Sequence, residues 1–195
     1  IGAYFGDSAI KLSQAYNCKV TCFEPILEYF NQLCVNVRHI PTIVPVNLAV
    51  TADGGIVKLY KKGDATSAFV DNSLGLSEVC ESISIRRMIS DKKAIDLIEI
   101  NVEGYEYELL EALLNNSKRF LPRTILVQFH EIDVNSEIKR DYLRKLLRKD
   151  YQETYTFKFV WERWDRRDLT LLNRWCILRM KLHLKRNKVN KFRES

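Results

Sequence analysis

Three stretches of the chain place residues that do chemistry at the ends of strands. The first is Gly2-Ala3-Tyr4-Phe5-Gly6-Asp7, which runs into a helical stretch near residues 8–16. Glycine lets a backbone turn sharply and approach a ligand closely, and Asp7 is placed to cap the helix with its carboxylate. That geometry serves either a ligand-cradling loop or a plain strand-to-helix turn. The second is Phe23-Glu24-Pro25, with Glu24 lying 18 residues after Gly6. An acid at the end of the second strand of a doubly wound sheet can accept both ribose hydroxyls of a nucleoside. In the alternative, Glu24 caps the helix begun by Pro25. The third runs from Ile95 to Glu106, where Asp96, Glu99, Asn101, Glu103 and Glu106 crowd the end of an apolar strand. Ligands of open α/β sheets bind at the carboxyl ends of strands, while acids at a helix start also gain from the helix dipole.

The elements that must position these residues alternate. Residues 19–23 and 42–50 read as strands, with an amphipathic helix at 25–38 between them. Ile26, Phe30, Leu33, Cys34 and Val37 recur there at helical spacing, and Pro25 sits at the first turn. A strand at 56–60 follows the Asp53-Gly54-Gly55 turn, a polar loop covers 63–77, and another strand lies near 79–85. The run 94–102 reads as a strand buried on both faces. Leu109, Leu110, Leu113 and Leu114 then form the inner stripe of a helix. Residues 123–130 form a strand, and Ile138, Tyr142, Leu143, Leu146 and Leu147 mark the helix after it. Two late strands, about 152–161 and 170–180, are joined by a loop alone and are therefore expected to be antiparallel. The alternation predicts an α/β fold with right-handed crossovers.

Gly2 to Asp7, Phe23-Glu24-Pro25, Ile95 to Leu110 and Val127-Gln128-Phe129-His130-Glu131, in that order, resemble the FkbM family of methyltransferases from residue 1 to about residue 135. The family pattern is roughly D-x-G-A-x-x-G, F-E-P, I-D-L-x-K-x-D-x-E-G-x-E and V-E-x-H. The resemblance implies a Rossmann-like class I fold, with a mostly parallel twisted sheet, helices on both faces and an antiparallel C-terminal hairpin. It implies S-adenosylmethionine (SAM) as cofactor, with Gly2, Ala3, Gly6 and Asp7 at the cofactor loop, Glu24 on the ribose, Asn47 near the adenine and Asn101 also at the cofactor. Glu103 and Gly104 would form the floor of the reaction site. The expected reaction is methylation of an oxygen on a small-molecule or glycan-type acceptor, with no metal. His130, at a strand end, is then the first candidate for the base that removes the acceptor's proton. Glu103 and Glu131 are alternatives, and packing or capping is the other use of such a histidine.

The chain departs from the pattern at three points. The family's acid before the glycine loop would fall ahead of Ile1, so the chain is expected to begin inside its first strand. Glu99 and Asn101 stand where the family has lysine and aspartate, and Gln128 stands where it has glutamate. Losing the charge at position 101 disfavours a carboxylate-bound metal. It also leaves a non-catalytic domain of the same fold as the alternative to an enzyme. An NAD-linked oxidoreductase is the weaker rival, because the loop lacks G-x-G-x-x-G and no Tyr-x-x-x-Lys pair occurs.

Bulk properties set the remaining bounds. At 195 residues the chain is long enough for one domain with a real core. No apolar run reaches the roughly 18 residues of a membrane span, and a cytoplasmic location is expected. Cys18, Cys22, Cys34, Cys80 and Cys176 include no C-x-x-C pair and read as free thiols of a reducing compartment. His39 and His183 are assigned no role. The aromatic-rich run 155–164 reads as a packed strand, followed by a loop in which Trp164, Arg166 and Arg167 are placed to stack on a sugar or bind an anionic acceptor.

The net charge of +6 resides in the last residues. Residues 179–195 hold seven basic side chains and one acid, which leaves the rest neutral, and no specific nucleic-acid partner is expected. The chain thus divides into a methyltransferase domain, 1–180, and a basic tail, 181–195. The tail is either a solvated end or a weakly amphipathic contact for an anionic surface. If it makes that contact, cutting the chain after Met180 leaves cofactor affinity unchanged and weakens retention on anionic vesicles. The attraction of the intact chain should likewise fade as salt shortens the screening length from about 10 Å at 0.1 M. Loss of cofactor binding on truncation would show instead that the tail packs on the domain.

Overall fold

The structure, a computed structural model, describes residues 1–62, 65–67, 77–90 and 94–167. Its first half runs α1 (Asp7–Tyr16), β1 (Val20–Phe23), α2 (Leu27–Val37), β2 (Ile43–Val46), β3 (Ala49–Thr51), β4 (Gly55–Lys62), β5 (Ala65–Ser67) and β6 (Ser77–Ser84). Its second half runs α3 (Ile85–Ser90), β7 (Leu97–Ile100), α4 (Glu106–Leu114), β8 (Thr124–Val127), α5 (Ser136–Leu147), β9 (Tyr151–Phe157) and β10 (Trp161–Arg166). Among the described residues, no helix is long and apolar enough to cross a membrane.

Backbone hydrogen bonds of residues 1–3 join two sheets. The Ile1 nitrogen donates to the Glu99 carbonyl at 2.7 Å, and Asn101 N–H donates to the Ile1 carbonyl at 3.1 Å. On the other side, the N–H groups of Gly2 and Ala3 donate to the Phe23 carbonyl at 3.1 and 3.0 Å. Residues 1–3 therefore lie between β1 and β7, giving the order β2-β1-(1–3)-β7-β8-β10-β9. A second sheet has the order β3-β6-β4-β5.

The sheets are mixed rather than mostly parallel. Parallel pairing joins β1 to β2, β3 to β6 and β7 to β8. β10 is antiparallel to both β8 and β9, and β4 is antiparallel to both β5 and β6. Short connections such as 158–160 can only return the chain antiparallel, whereas parallel neighbours need a crossover. The late hairpin is earlier and tighter than expected, and the aromatic run 155–164 spans its turn instead of forming one strand. The expected strand 170–180 and the tail 181–195 lie outside the described residues.

Other boundaries move for local reasons. The run 42–50 splits into β2 and β3, which belong to different sheets, with Asn47 and Leu48 between them. Pro45 sits within β2, an edge strand, where a missing N–H is tolerated. Pro25 precedes the N-cap residue Ile26, so α2 starts two residues later than predicted. Asp7 is the first residue of α1, not its cap: Gly6 holds the cap position at φ 92° and no side chain caps the helix. The short helix α3 had no clear periodic signal, yet it buries Ile85 and Ile89. Of the expected loop 63–77, residues 65–67 are β5 and Ser77 begins β6, and the rest is outside the described residues.

Successive residues of β1 face opposite sides of the sheet. Cys22 packs with Ala9, Leu33 and Val37 of α1 and α2. Phe23 packs on the other core, which is built on α3 to α5, β7, β8 and β10. In that core Leu109, Leu110 and Leu113 of α4 are fully buried, each contributing about 1.5–3 kcal/mol. Cys18, Cys22 and Cys34 are free thiols.

The hairpin is held to α5 by charge. Glu162 is fully buried. Its carboxylate accepts Arg140 Nε at 2.6 Å and Trp164 Nε1 at 3.0 Å, and pairs with Arg144 at 2.9 Å. Glu162→Ala leaves two arginines without this partner and should cost about 3–5 kcal/mol of unfolding free energy in urea titration. A loss below about 1 kcal/mol would mean that water or Glu153 compensates the arginines fully.

Candidate functional site

A cavity of about 230 Å³ opens at the carboxyl ends of β1 and β7, somewhat below the range of roughly 300–1,000 Å³ usual for small-molecule sites. Gly2, Tyr4, Glu24, Asn101, Glu103 and Tyr105 supply part of its wall, and Leu48, Val50, Val57 and Leu59 supply an apolar part. Gly2 is required there. It stands at φ 75°, and a Cβ on it would lie 1.8 Å from the Asn101 carbonyl oxygen. Two other lining residues adopt left-handed backbone without being glycine: Tyr4 at φ 50° and Glu103 at φ 48°. Each such residue costs about 1–2 kcal/mol, and backbone strain of this kind gathers at functional sites.

Glu24 makes the helix-entry contact expected of it. It is buried, and its Oε2 accepts the Tyr4 N–H at 2.8 Å while its Oε1 accepts the Ile26 N–H at 3.0 Å. Burial raises its pKa, and those backbone bonds oppose the rise. Each carboxylate oxygen has a second acceptor position, and Glu24 lines the cavity. It can therefore hold the turn and still receive donors from a ligand.

Asn101 also lines the cavity, and its Oδ1 is buried without a hydrogen-bond partner. An unmet buried acceptor costs about 1–3 kcal/mol, and a donor from a ligand would relieve that cost.

The remaining cofactor residues named from the sequence do not line the cavity among the described residues. Asn47 Nδ2 donates to the Glu24 and Pro25 carbonyls, both at 2.9 Å, so it braces the strand end while Leu48 and Ala49 line the cavity. Gly6 is buried, and a Cβ on it would lie 2.5 Å from Leu33 Cδ1. Ala3 anchors the loop through its bond to Phe23, and Asp7 is exposed. Ala3, Gly6, Asp7 and Asn47 are not among the described lining residues.

His130 sits between two carboxylates. Its Nε2 is 3.4 Å from Glu103 Oε2, and its Nδ1 is 3.2 Å from Glu106 Oε1. Its backbone N–H also donates to Glu106 Oε1 at 2.6 Å. Glu106 is fully buried, and its other oxygen accepts the Gly104 N–H at 2.7 Å. Burial opposes a charge on His130, but the hydrogen bonds and charges of Glu103 and Glu106 outweigh it and push the pKa up to about 9. At neutral pH the ring is therefore protonated and has no lone pair with which to act as a base. Of this group, Glu103 reaches the cavity and His130 does not. Glu131 is exposed.

Sequence reasoning missed several wall residues. Val57 and Leu59 come from β4 and reach the cavity only through sheet pairing, so no local signal marks them. Tyr4 and Tyr29 meet edge to face at 4.8 Å between ring centroids, and nothing in their spacing announced it. Glu106 stood inside the third acidic run only as an acid favoured by a helix start, and its burial was not foreseen. The aromatic and basic residues expected on a loop belong instead to the hairpin and its end. Trp164 is fully buried, Arg166 bonds the Leu121 carbonyl, and Arg167 bonds the Tyr151 carbonyl.

The raised pKa of His130 links its protonation to folding. The folded chain holds this proton above the ordinary value of 6.5, so the stabilisation is complete below about pH 6.5 and is lost as pH rises through about 9. The urea midpoint should fall between pH 6.5 and 10, and His130→Gln should flatten that part of the fall. Equal pH dependence in both proteins would show that the pair contributes nothing.

A family model, described as the Methyltransferase FkbM domain, matches residues 1–153 of the 195. Comparison with curated proteins gives no match.

Proposed function

The chain belongs to the FkbM methyltransferase family, and from that premise we propose that it moves a methyl group from SAM to an oxygen of a small-molecule or glycan-type acceptor. The observation that carries the cofactor assignment is the charge of the cavity. Its lining includes the acidic residues Glu24 and Glu103 and the neutral Asn101, with no lysine or arginine among the described lining residues. SAM bears a sulfonium and an ammonium against one carboxylate, a net positive charge that suits such a wall. The pyrophosphate of NAD would meet two carboxylates and no cation. Like charges about 4 Å apart repel by roughly 4 kcal/mol at an effective dielectric constant of 20.

On this reading Gly2 lets the backbone come close to the ligand, Glu24 receives the ribose hydroxyls, and the Asn101 oxygen accepts an N–H or O–H donor. Leu48, Val50, Val57 and Leu59 offer an apolar wall to the base. When bound, SAM supplies a methyl group on a cationic sulfur that is open to in-line displacement. What the chain must add is position, which accounts for up to about 7–11 kcal/mol of a barrier. The order β2-β1-(1–3)-β7-β8-β10-β9 supports a Rossmann-like class I reading. In it residues 1–3 take the place of a central strand and the β9–β10 hairpin forms the antiparallel end. The domain is proposed to span 1–180, with the tail 181–195 either a solvated end or a weak contact for anionic surfaces.

Calorimetry tests the cofactor. The chain should bind SAM and not NAD. Glu24→Gln removes the charge and keeps an acceptor oxygen for only one of the two backbone donors, and with the fold intact by circular dichroism it should weaken SAM binding at least about tenfold, since a hydrogen bond to a charged group contributes about 1.5–3 kcal/mol. Preference for NAD would defeat the cofactor assignment, and full SAM affinity in the variant would defeat the ribose role.

A further inference from the structure

Glu106 and His130 are elaborately held, yet neither lines the cavity, whereas Glu103 does. We propose that Glu103 faces the transferred methyl group and takes the acceptor's proton, and that His130, backed by Glu106, is a positioning residue that holds the Glu103 carboxylate in place. This assignment rests on the methyltransferase reading above and names the residue that completes it.

Glu106 grips both ends of the arrangement. One of its oxygens holds the Gly104 N–H, in the turn that carries Glu103, and the other holds the backbone and ring of His130. His130 Nε2 then reaches Glu103 Oε2 at 3.4 Å. The Tyr107 hydroxyl donates to the His130 carbonyl at 2.6 Å and fixes the strand end from α4. The charged groups facing the ring are the two carboxylates, and with the pKa of His130 pushed up to about 9, both ring nitrogens carry protons at neutral pH. The imidazolium donates toward the Glu103 carboxylate and orients it. Glu103 keeps the lone pairs that a proton acceptor needs, on a residue held at φ 48° beside the cavity.

A carboxylate is a weak base for a free alcohol, but the order of bond changes removes that difficulty. The acceptor oxygen forms the new C–O bond while the C–S electron pair stays on sulfur. The oxygen then carries three bonds and a positive charge, which makes its O–H strongly acidic. That proton passes to Glu103 and from there to water, leaving a methyl ether and a neutral thioether.

Two cofactor analogues read this geometry without an identified acceptor. S-adenosylhomocysteine has a neutral sulfur, and sinefungin carries a C–NH3⁺ group where the sulfonium methyl would be. At pH 7.5 the full chain should bind sinefungin at least about tenfold more tightly than S-adenosylhomocysteine, the size expected of one charge-assisted contact. Glu103→Gln should bring the ratio near one and leave S-adenosylhomocysteine affinity within about twofold. Glu103→Asn, a residue that tolerates left-handed backbone, should do the same and guards against a folding defect. His130→Ala should lose most of the preference, while His130→Gln, which retains an N–H donor toward Glu103, should keep it. A ratio unchanged in both Glu103 variants overturns the role of Glu103, and one unchanged in His130→Ala overturns the positioning role. If the parent chain binds neither analogue nor SAM, the cofactor reading fails and takes this assignment with it.

Discussion

The Glu24 carboxylate accepts the Tyr4 N–H through one oxygen and the Ile26 N–H through the other, at 2.8 and 3.0 Å. Those two bonds tie the glycine loop, the end of β1 and the entry to α2 into one corner. The loop needs the tie because Tyr4 is left-handed and Gly2 runs against the Asn101 carbonyl. Asn47 closes the corner from the next strand by holding the carbonyls of Glu24 and Pro25. A buried anion met mainly by backbone dipoles is expensive to maintain. The corner is thus built to welcome donors, and the cavity lies where they would arrive.

The opposite wall repeats the device. Glu106 is a second buried carboxylate that accepts two backbone N–H groups, from Gly104 and His130. It too braces a turn with a left-handed residue other than glycine, here Glu103. In each case the hydrogen bonds to a charged acceptor offset the local backbone strain, since such bonds contribute about 1.5–3 kcal/mol against about 1–2 kcal/mol for the strained residue. The difference is the counter-ion. Glu106 has His130, and with Glu103 it favours the protonated form of that strand-end ring.

Much of this was legible in residue types. The three acidic and glycine runs do meet at one cavity, because strand ends in an α/β sheet converge there. Glu24, Asn101, Glu103 and Gly2 line it. The protonation state of His130 was not legible, because it depends on two carboxylates 24 and 27 residues earlier in the chain that only the fold brings near. The apolar wall from Val57 and Leu59 was hidden for the same reason, through the pairing of β4 with β6. The split of 42–50 was hidden because both halves are equally apolar, and only a change of sheet separates them. Periodicity reads one face of one element. It does not read which sheet a strand joins.

Asn101 stands where the family pattern has an acid, and the sequence alone left that as a sign of lost function. Its surroundings favour another account. Glu24 and Glu103 already give the cavity two carboxylates, and Glu106 places a third directly behind Glu103. A further anion at 101 would have its oxygen in a buried place without a hydrogen-bond partner, where an uncompensated charge is far more costly than a neutral amide. Asparagine supplies the same acceptor oxygen and removes the charge. The cavity keeps its capacity to receive a donor at that point and keeps a net negative wall for a cationic ligand. The departure therefore removes a charge from a buried position and keeps a neutral oxygen there.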